Sequence, residues 1–261
     1  MELFPSPSAT RDLPGSAAWL PSPEQLHPTL WRAHQLGRER VATWGSGFAE
    51  LDAELPGGGW PSRALSELLL AHPGIGEIRL LAPVLAAVQR NERCVMLFDP
   101  PAGLCGWTLS ALGIDLRQLT LVRARPLQPV ADVLWALEHA LKSGHVGAVL
   151  AWLPQRLRAD ALRRLQLAAQ AHDGPAFVLR ELSARDKPSA APLRLALAPA
   201  GPDELAVHLL KRRGPPRLQP LLLPLMPVLS ESARARAAAA PVAGQDADIR
   251  VSQAARVGAS F

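Results

Sequence analysis

Short apolar runs alternate with amphipathic stretches between residues 65 and 180. The runs predict buried strands over residues 65–70, 94–98, 119–122, 146–152 and 176–180. The stretches between them have helical spacing and predict helices over residues 77–90, 104–112, 130–142 and 158–172. Continuous apolar strands that alternate with helices are typical of a parallel sheet covered on both faces. We therefore predict an α/β fold with a mostly parallel sheet flanked by helices.

The pattern changes outside this central part. Residues 193–199 and 204–214 flank the turn APAGPDE and predict paired strands, which would give the sheet an antiparallel edge. Residues 1–40 predict a flexible arm rich in Pro and Ser, with a short helix over 26–38. Residues 41–225 form the predicted core domain. Residues 226–261 contain few large apolar residues and predict a disordered tail, with a partner-dependent helix over 230–240 as the alternative.

Composition narrows the function classes only modestly. The chain has 261 residues and a formal net charge of +5, which is compatible with nucleic acid or an acidic protein partner. No apolar run is long enough to span a membrane, and the N-terminus lacks the pattern of a signal peptide. Two cysteines and scattered histidines predict neither a disulfide framework nor a metal site. We expect a cytoplasmic protein.

Several motifs then follow one another in a specific order. The segment GFAELDAELPGGGWPSRALSELL resembles the opening of the RecA-like recombinase core at Gly47, Leu51, Asp52, Gly58, Gly59, Pro61 and Glu67. The continuation from residue 93 to residue 124 is similar to the second strand, helix and third strand of that family. The resemblance covers roughly residues 41–215. It implies a RecA-like sheet.

The stretch SELLLAHPGIGEIR corresponds to the phosphate-binding loop of that family. In such a loop, backbone N–H groups hold the phosphates, a Lys reaches the terminal phosphates and a hydroxyl binds magnesium. With Gly74 and Gly76 as the loop glycines, Glu77 occupies the Lys position and Ile78 the hydroxyl position. A carboxylate repels a triphosphate, and an isoleucine does not ligate magnesium. We therefore predict a degenerate loop whose glycines keep only a backbone role.

Two further positions agree with this interpretation. The resemblance implies a water-activating Glu where the chain has Pro101, and a magnesium-organising acid where it has Trp152. Because all these chemical groups are replaced, we expect no catalytic residue, no bound cofactor and no enzymatic activity.

The candidate binding residues lie elsewhere. Lys211, Arg212, Arg213 and Arg217 predict a compact basic patch that contacts DNA or a partner, although a solvated strand edge or a protein interface would explain the same charges. Trp31, in the predicted arm, is a candidate anchor for a protein partner. Most of the tryptophans at positions 44, 60, 107, 135 and 152 are expected in the core.

Within this superfamily the degenerate loop, the helix over 26–38 and the Arg-rich tail look like the ImuA family of SOS translesion-synthesis proteins. The chain also resembles SulA, a cell-division inhibitor. The first resemblance implies a non-catalytic adaptor that contacts RecA, an ImuB-type subunit or both, with an error-prone polymerase and single-stranded DNA as further partners. Two alternatives stay open, a divergent RecA paralogue with residual DNA-dependent ATPase and a SulA-like inhibitor of cell division.

Overall fold

The computed structural model describes residues 42–125, 128–154 and 157–239. The predicted arm, with Trp31, and the tail beyond residue 239 lie outside the described residues.

Ten strands and six α-helices make up the described chain. The strands are β1 (Thr43–Trp44), β2 (Trp60–Pro61), β3 (Leu65–Leu70), β4 (Cys94–Phe98), β5 (Leu119–Val122), β6 (Val146–Trp152), β7 (Ala176–Glu181), β8 (Leu193–Gly201), β9 (Glu204–Lys211) and β10 (Leu221–Pro224). The helices are α1 (Ala49–Glu54), α2 (Glu77–Arg90), α3 (Gly106–Ala111), α4 (Val130–Lys142), α5 (Ala159–Ala169) and α6 (Glu231–Ala239). Short 3-10 turns occupy Leu116–Gln118 and Leu182–Ala184.

Eight strands form one sheet in the order β10-β9-β8-β3-β7-β6-β4-β5. The six strands from β8 to β5 run parallel, and β9 and β10 add to one edge in antiparallel orientation. Strands β1 and β2 form a separate small ribbon. The predicted mostly parallel sheet with an antiparallel edge is therefore confirmed.

The core divides into two layers because the buried strands present apolar side chains to both faces of the sheet. Helix α2 contributes Leu81 and Leu85 to one layer, and helices α4 and α5 contribute Leu137 and Leu165 to the other. Among the described residues, no helix is long and apolar enough to cross a membrane.

Some boundaries differ from the prediction. Helix α3 is shorter than expected, since Cys105 is extended and the helix begins only at Gly106. Strand β10 was not predicted, because the prolines on both sides of LLL are typical of a loop. In the predicted tail, residues 231–239 form helix α6, which agrees with the helical alternative for this segment.

Two glycines and an aspartate of the segment before β3, Gly47, Gly59 and Asp52, each hold a turn or a close contact between chain segments. The backbone N–H of Ser46 donates to Asp52 Oδ1 at 2.8 Å, so Asp52 fixes the turn that leads into α1. Gly47 has a φ of +86° and packs directly against Pro83 of α2, where a Cβ would collide with the proline ring. Gly59 packs in the same way against the backbone carbonyl of Trp44. These glycines allow close contacts between chain segments, which agrees with a tight turn rather than an anion site.

A charged triad is buried in the middle of the sheet. Glu67 on β3 accepts hydrogen bonds from Arg180 on β7, at 2.8 Å to Oε1, and from Arg194 on β8, at 2.6 Å to Oε2. All three side chains are buried. Arg194 also donates to the carbonyls of Ala184 and Arg185 after β7, so the triad links three adjacent strands to the connection between them.

The first prediction concerns this triad. We expect Glu67→Ala to lower the free energy of unfolding by about 3–5 kcal/mol, because it leaves two buried guanidinium groups without their carboxylate. Asp173→Ala is the matched control, since it breaks the exposed Arg63–Asp173 pair and should cost about 1 kcal/mol or less. Urea unfolding measures both values, and equal losses for the two variants would contradict this assignment.

A buried histidine, His172, lies just before the start of β7. Burial lowers the pKa of His172 to about 4, with a further contribution from the positive charge of Arg93 that the carboxylate of Asp173 partly offsets. The folded protein therefore keeps His172 neutral over a range of pH in which the same side chain of the unfolded protein takes up a proton.

The second prediction is a pH dependence of stability. Because the unfolded chain binds more protons than the folded one between pH 6.5 and about pH 4, stability should be full above pH 6.5 and fall as the pH drops through this window. The loss attributable to this side chain amounts to about 3 kcal/mol. Denaturant unfolding at several pH values measures it. His172→Gln should remove this contribution and the exposed-site control His139→Gln should retain it, so the same profile in both variants would contradict the assignment.

Candidate functional site

The loop between β3 and α2 contains a carboxylate bound to its own backbone. The N–H of Gly74 donates to Glu77 Oε1 at 2.8 Å and to Oε2 at 3.1 Å, and the N–H of Gly76 donates to Oε2 at 3.2 Å. Gly74 and Gly76 both have positive φ, at +90° and +117°, which turns their N–H groups toward one point. The Glu77 residue is only 3% exposed.

The residues next to Glu77 point into the protein rather than into the loop. The Ile78 side chain packs against the core, so the position expected to bind magnesium provides only apolar contact. The guanidinium of Arg79 donates to Asp203 Oδ1 at 2.9 Å and to the Pro202 carbonyl at 3.1 Å. Arg79 is therefore held by the turn between β8 and β9.

The same turn holds the C-terminal segment of the described chain against the loop. Asp203 Oδ2 pairs with Arg234 of α6 at 2.6 Å, and the Asp203 carbonyl accepts a hydrogen bond from the N–H of Leu225. A Cβ at Gly76 would lie 2.6 Å from the Leu225 side chain. Leu225 thus covers the glycine from the outside, and the loop is enclosed on two sides.

The other two positions of the predicted degenerate site lie at the ends of neighbouring strands. Asp99, after β4, has a φ of +52° and donates its backbone N–H to the Val122 carbonyl at 2.7 Å. Pro101 is exposed. Trp152, at the end of β6, is buried in the core layer that contains α2. Neither Pro101 nor Trp152 offers a side-chain group that accepts a proton or binds a metal.

A cavity of about 210 Å³ adjoins the loop. Gly74, Gly76, Cys105, Thr108 and Val228 contribute to its lining. Hydrogen bonding from Thr108 lowers the pKa of the exposed Cys105 thiol. The volume lies below the roughly 300–1,000 Å³ of sites that enclose drug-sized ligands. Within the described ranges, no cluster of three or more His, Cys, Asp or Glu side chains could hold a metal ion.

An exposed apolar surface lies beside this cavity, at the β5 edge of the sheet. Trp107 on α3 is 89% exposed. Leu116 is partly exposed and lies next to the start of that helix, 3.2 Å from the point where a Cβ on Gly106 would lie. Leu121, also partly exposed, lies two residues after Leu119 on β5 and so faces the same side of the sheet as Leu119 and α3. We call Trp107, Leu116 and Leu121 the edge surface.

Comparisons with known proteins identify the family. The sequence model of the family described as "Cell division inhibitor SulA" matches residues 64–176. The chain is 30% identical over 122 residues to the cell division inhibitor SulA of Yersinia enterocolitica serotype O:8 / biotype 1B, with 47% of this chain and 70% of that protein covered. The SulA proteins of Yersinia pestis (strain Pestoides F) and Yersinia pseudotuberculosis serotype O:1b (strain IP 31758) are 31% identical over the same coverage. The chain belongs to the SulA family.

The SulA match coincides with the parts of the structure described above. Residues 64–176 run from β3 to the start of β7 and contain the Gly74–Gly76 loop, the edge surface and Trp152. Strands β8 to β10 and helix α6 lie outside the matched range. The predicted resemblance to SulA is therefore confirmed, whereas the closer likeness to ImuA belongs to the proposals below.

The predicted basic patch has mostly internal partners. Glu54, at the end of α1, pairs with Arg212 at 2.8 Å and with Arg217 at 2.5 Å. Lys211 donates to the Ser189 carbonyl at 3.0 Å, and Arg213 is exposed. Arg212 and Arg217 therefore attach the segment after β9 to α1. DNA contact by this patch stays a prediction that would depend chiefly on Lys211 and Arg213.

The expectation that most of these tryptophans lie in the core holds for the buried Trp60 and Trp152 and for Trp44, which packs against the core, whereas Trp107 and Trp135 are exposed, at 89% and 59%. The signal for Trp107 was present in the spacing. Leu109 and Leu112 are three residues apart and share the buried side of α3, and a residue two positions before Leu109 points away from that side. Trp135 instead stacks on His139, with ring centroids 3.9 Å apart.

Proposed function

We propose that this chain is a non-enzymatic inhibitor of cell division that acts by binding the division GTPase. Membership of the SulA family supports the process, because the relatives it matches are named cell division inhibitors. The edge surface supports the mode of action. Large apolar patches on a protein surface are characteristic of protein-binding sites, and tryptophan is the residue most enriched among binding hot spots.

The position of the edge surface suits such a role. Strand β5 is the last strand of the sheet and pairs only with β4 among the described strands, so its outer edge has backbone groups available to a partner. Trp107 and Leu116 lie beside this edge on the face covered by α3. A partner that docks here would bury aromatic and aliphatic side chains together, within the residues that the family match covers.

The proposal that the protein is not an enzyme rests on the loop. Glu77 occupies the N–H groups that would bind a phosphate, and the Ile78 side chain packs against the core. Pro101 and Trp152 supply no acid at the neighbouring strand ends. These replacements remove the lysine, hydroxyl and acidic groups that activate water and organise magnesium from positions 77, 78, 101 and 152.

A second candidate function is the ImuA-type adaptor in translesion DNA synthesis, which would bind RecA or an ImuB-type polymerase subunit. The observation that favours it is the extent of the chain beyond the family match. Strands β8 to β10, helix α6 and the N-terminal residues before position 64 all lie outside that match. In this case the protein would also act by binding, through surfaces outside the matched range as well as within it.

The third prediction tests the edge surface. We expect overproduction of the protein to make bacterial cells filament and expect Trp107→Ala to abolish this effect. In a pull-down and titration with the purified division GTPase, Trp107→Ala should weaken binding by roughly 30-fold, which corresponds to about 2 kcal/mol for a hot-spot tryptophan.

The matched control is Trp135→Ala, which removes a second exposed tryptophan of the described residues, on helix α4. It should leave both filamentation and affinity unchanged. The same titration with RecA and an ImuB-type subunit separates the two candidate functions. Binding of either of these proteins without binding of the division GTPase would replace the first proposal by the second.

A further inference from the structure

The carboxylate of Glu77 is bound as a ligand would be. Its two oxygens accept three hydrogen bonds from the N–H groups of Gly74 and Gly76, all between 2.8 and 3.2 Å. These donors precede the helix to which Glu77 belongs, so the side chain bends back toward the loop. An acidic residue in the first turn of a helix is commonly exposed, whereas this one is 3% exposed.

The loop conformation depends on an anion at this point. Two glycines with positive φ direct their N–H groups to a common position, and the N–H of the buried Gly76 in particular needs an acceptor there. The N-terminus of the fourteen-residue helix α2 adds the positive end of its dipole. The buried carboxylate is itself the evidence that an anion is bound here.

The surroundings retain the loop in this form. Leu225 lies against Gly76 on the outside, and Arg79 is held near the same glycine by Asp203 and the Pro202 carbonyl. The Arg79 guanidinium lies 3.5 Å from the point where a Cβ on Gly76 would lie. The anion position is therefore lined by two N–H groups, and the glycine that provides one of them is enclosed by Leu225 and Arg79.

We propose that Glu77 is an intramolecular oxyanion that fills an anion site and keeps the loop permanently in its ligand-bound conformation. The site itself is retained. When the carboxylate is removed, the Gly74 and Gly76 donors take an oxyanion of the phosphate class from solution. In the natural protein the loop needs no such ligand, so the fold around α2 and the adjoining edge surface does not depend on nucleotide.

The size of the site limits the ligand to a small oxyanion. The adjoining cavity measures about 210 Å³, and deleting the Glu77 side chain would extend it toward the two N–H groups. Phosphate or pyrophosphate fits this space better than a complete nucleotide, which needs a site of several hundred Å³. The Ile78 side chain, which is partly buried against the core, offers no ligand to magnesium, so the expected ligand is the metal-free oxyanion.

The experiment compares thermal unfolding of the full chain in chloride and in pyrophosphate at matched ionic strength. We expect Glu77→Ala to lower Tm by roughly 5 °C in chloride, because it leaves the two donors without an acceptor. Millimolar pyrophosphate should restore roughly half of that loss by binding the folded state. The natural protein should show no shift in pyrophosphate, since its own carboxylate fills the site.

Two control variants give the test its specificity. Asp132→Ala removes an exposed acid from the first turn of α4 and should show no recovery by pyrophosphate. Glu77→Gln keeps the side chain in place without its charge. It should lose less stability than Glu77→Ala, because the amide oxygen still accepts a hydrogen bond from the loop, and it should gain nothing from pyrophosphate, because the amide still blocks the site.

Several outcomes would overturn the proposal. These are an unchanged Tm for Glu77→Ala, a recovery no larger than that of Asp132→Ala, or an equal shift in the natural protein. If Glu77→Ala does not fold in chloride, recovery of its circular dichroism in pyrophosphate serves as the same test, and no recovery counts against the proposal. None of these outcomes depends on the division GTPase, so failure here is distinguishable from failure of the proposed function.

Discussion

The carboxylate of Glu77 satisfies the backbone donors of Gly74 and Gly76 from within the same chain. Buried N–H groups need an acceptor, and in a phosphate-binding loop that acceptor comes from solution. Here the acceptor is covalently attached, so the loop and the start of α2 are fixed without a ligand. The neighbouring contacts follow from this arrangement. Ile78 is free to join the core and Arg79 to bind Asp203, which in turn holds Arg234 of α6.

Because Glu77 occupies the donors of the loop, binding of a partner would have to use the protein surface. The most exposed aromatic side chain of the described residues is Trp107, which lies beside the last strand of the sheet and within the range matched by the SulA family. The centre of the same sheet is held together by buried charges, because Glu67 ties β3 to β7 and β8 through two buried arginines.

The sequence predicts the sheet well and its long-range ion pairs poorly, for a physical reason. Strands such as Val146–Trp152 are continuous apolar runs, so their bounds are visible in the local pattern. The pairing of Glu54 with Arg212 and Arg217 joins residues more than 150 positions apart, and no local pattern indicates it. The charge cluster was therefore predicted as a free surface. Glu77 was predicted to repel phosphate, but its hydrogen bonds to Gly74 and Gly76 depend on the backbone conformation of the loop.

The most direct test of the central claim is a titration of the purified full chain with Mg²⁺–ATP, followed by thermal unfolding and by phosphate release. Because Glu77 fills the donors and the strand ends carry Pro101 and Trp152, we predict no shift in Tm and no phosphate release above that of a sample without protein. Magnesium-dependent turnover that is abolished by a substitution at Gly76 or Glu77 would contradict the account.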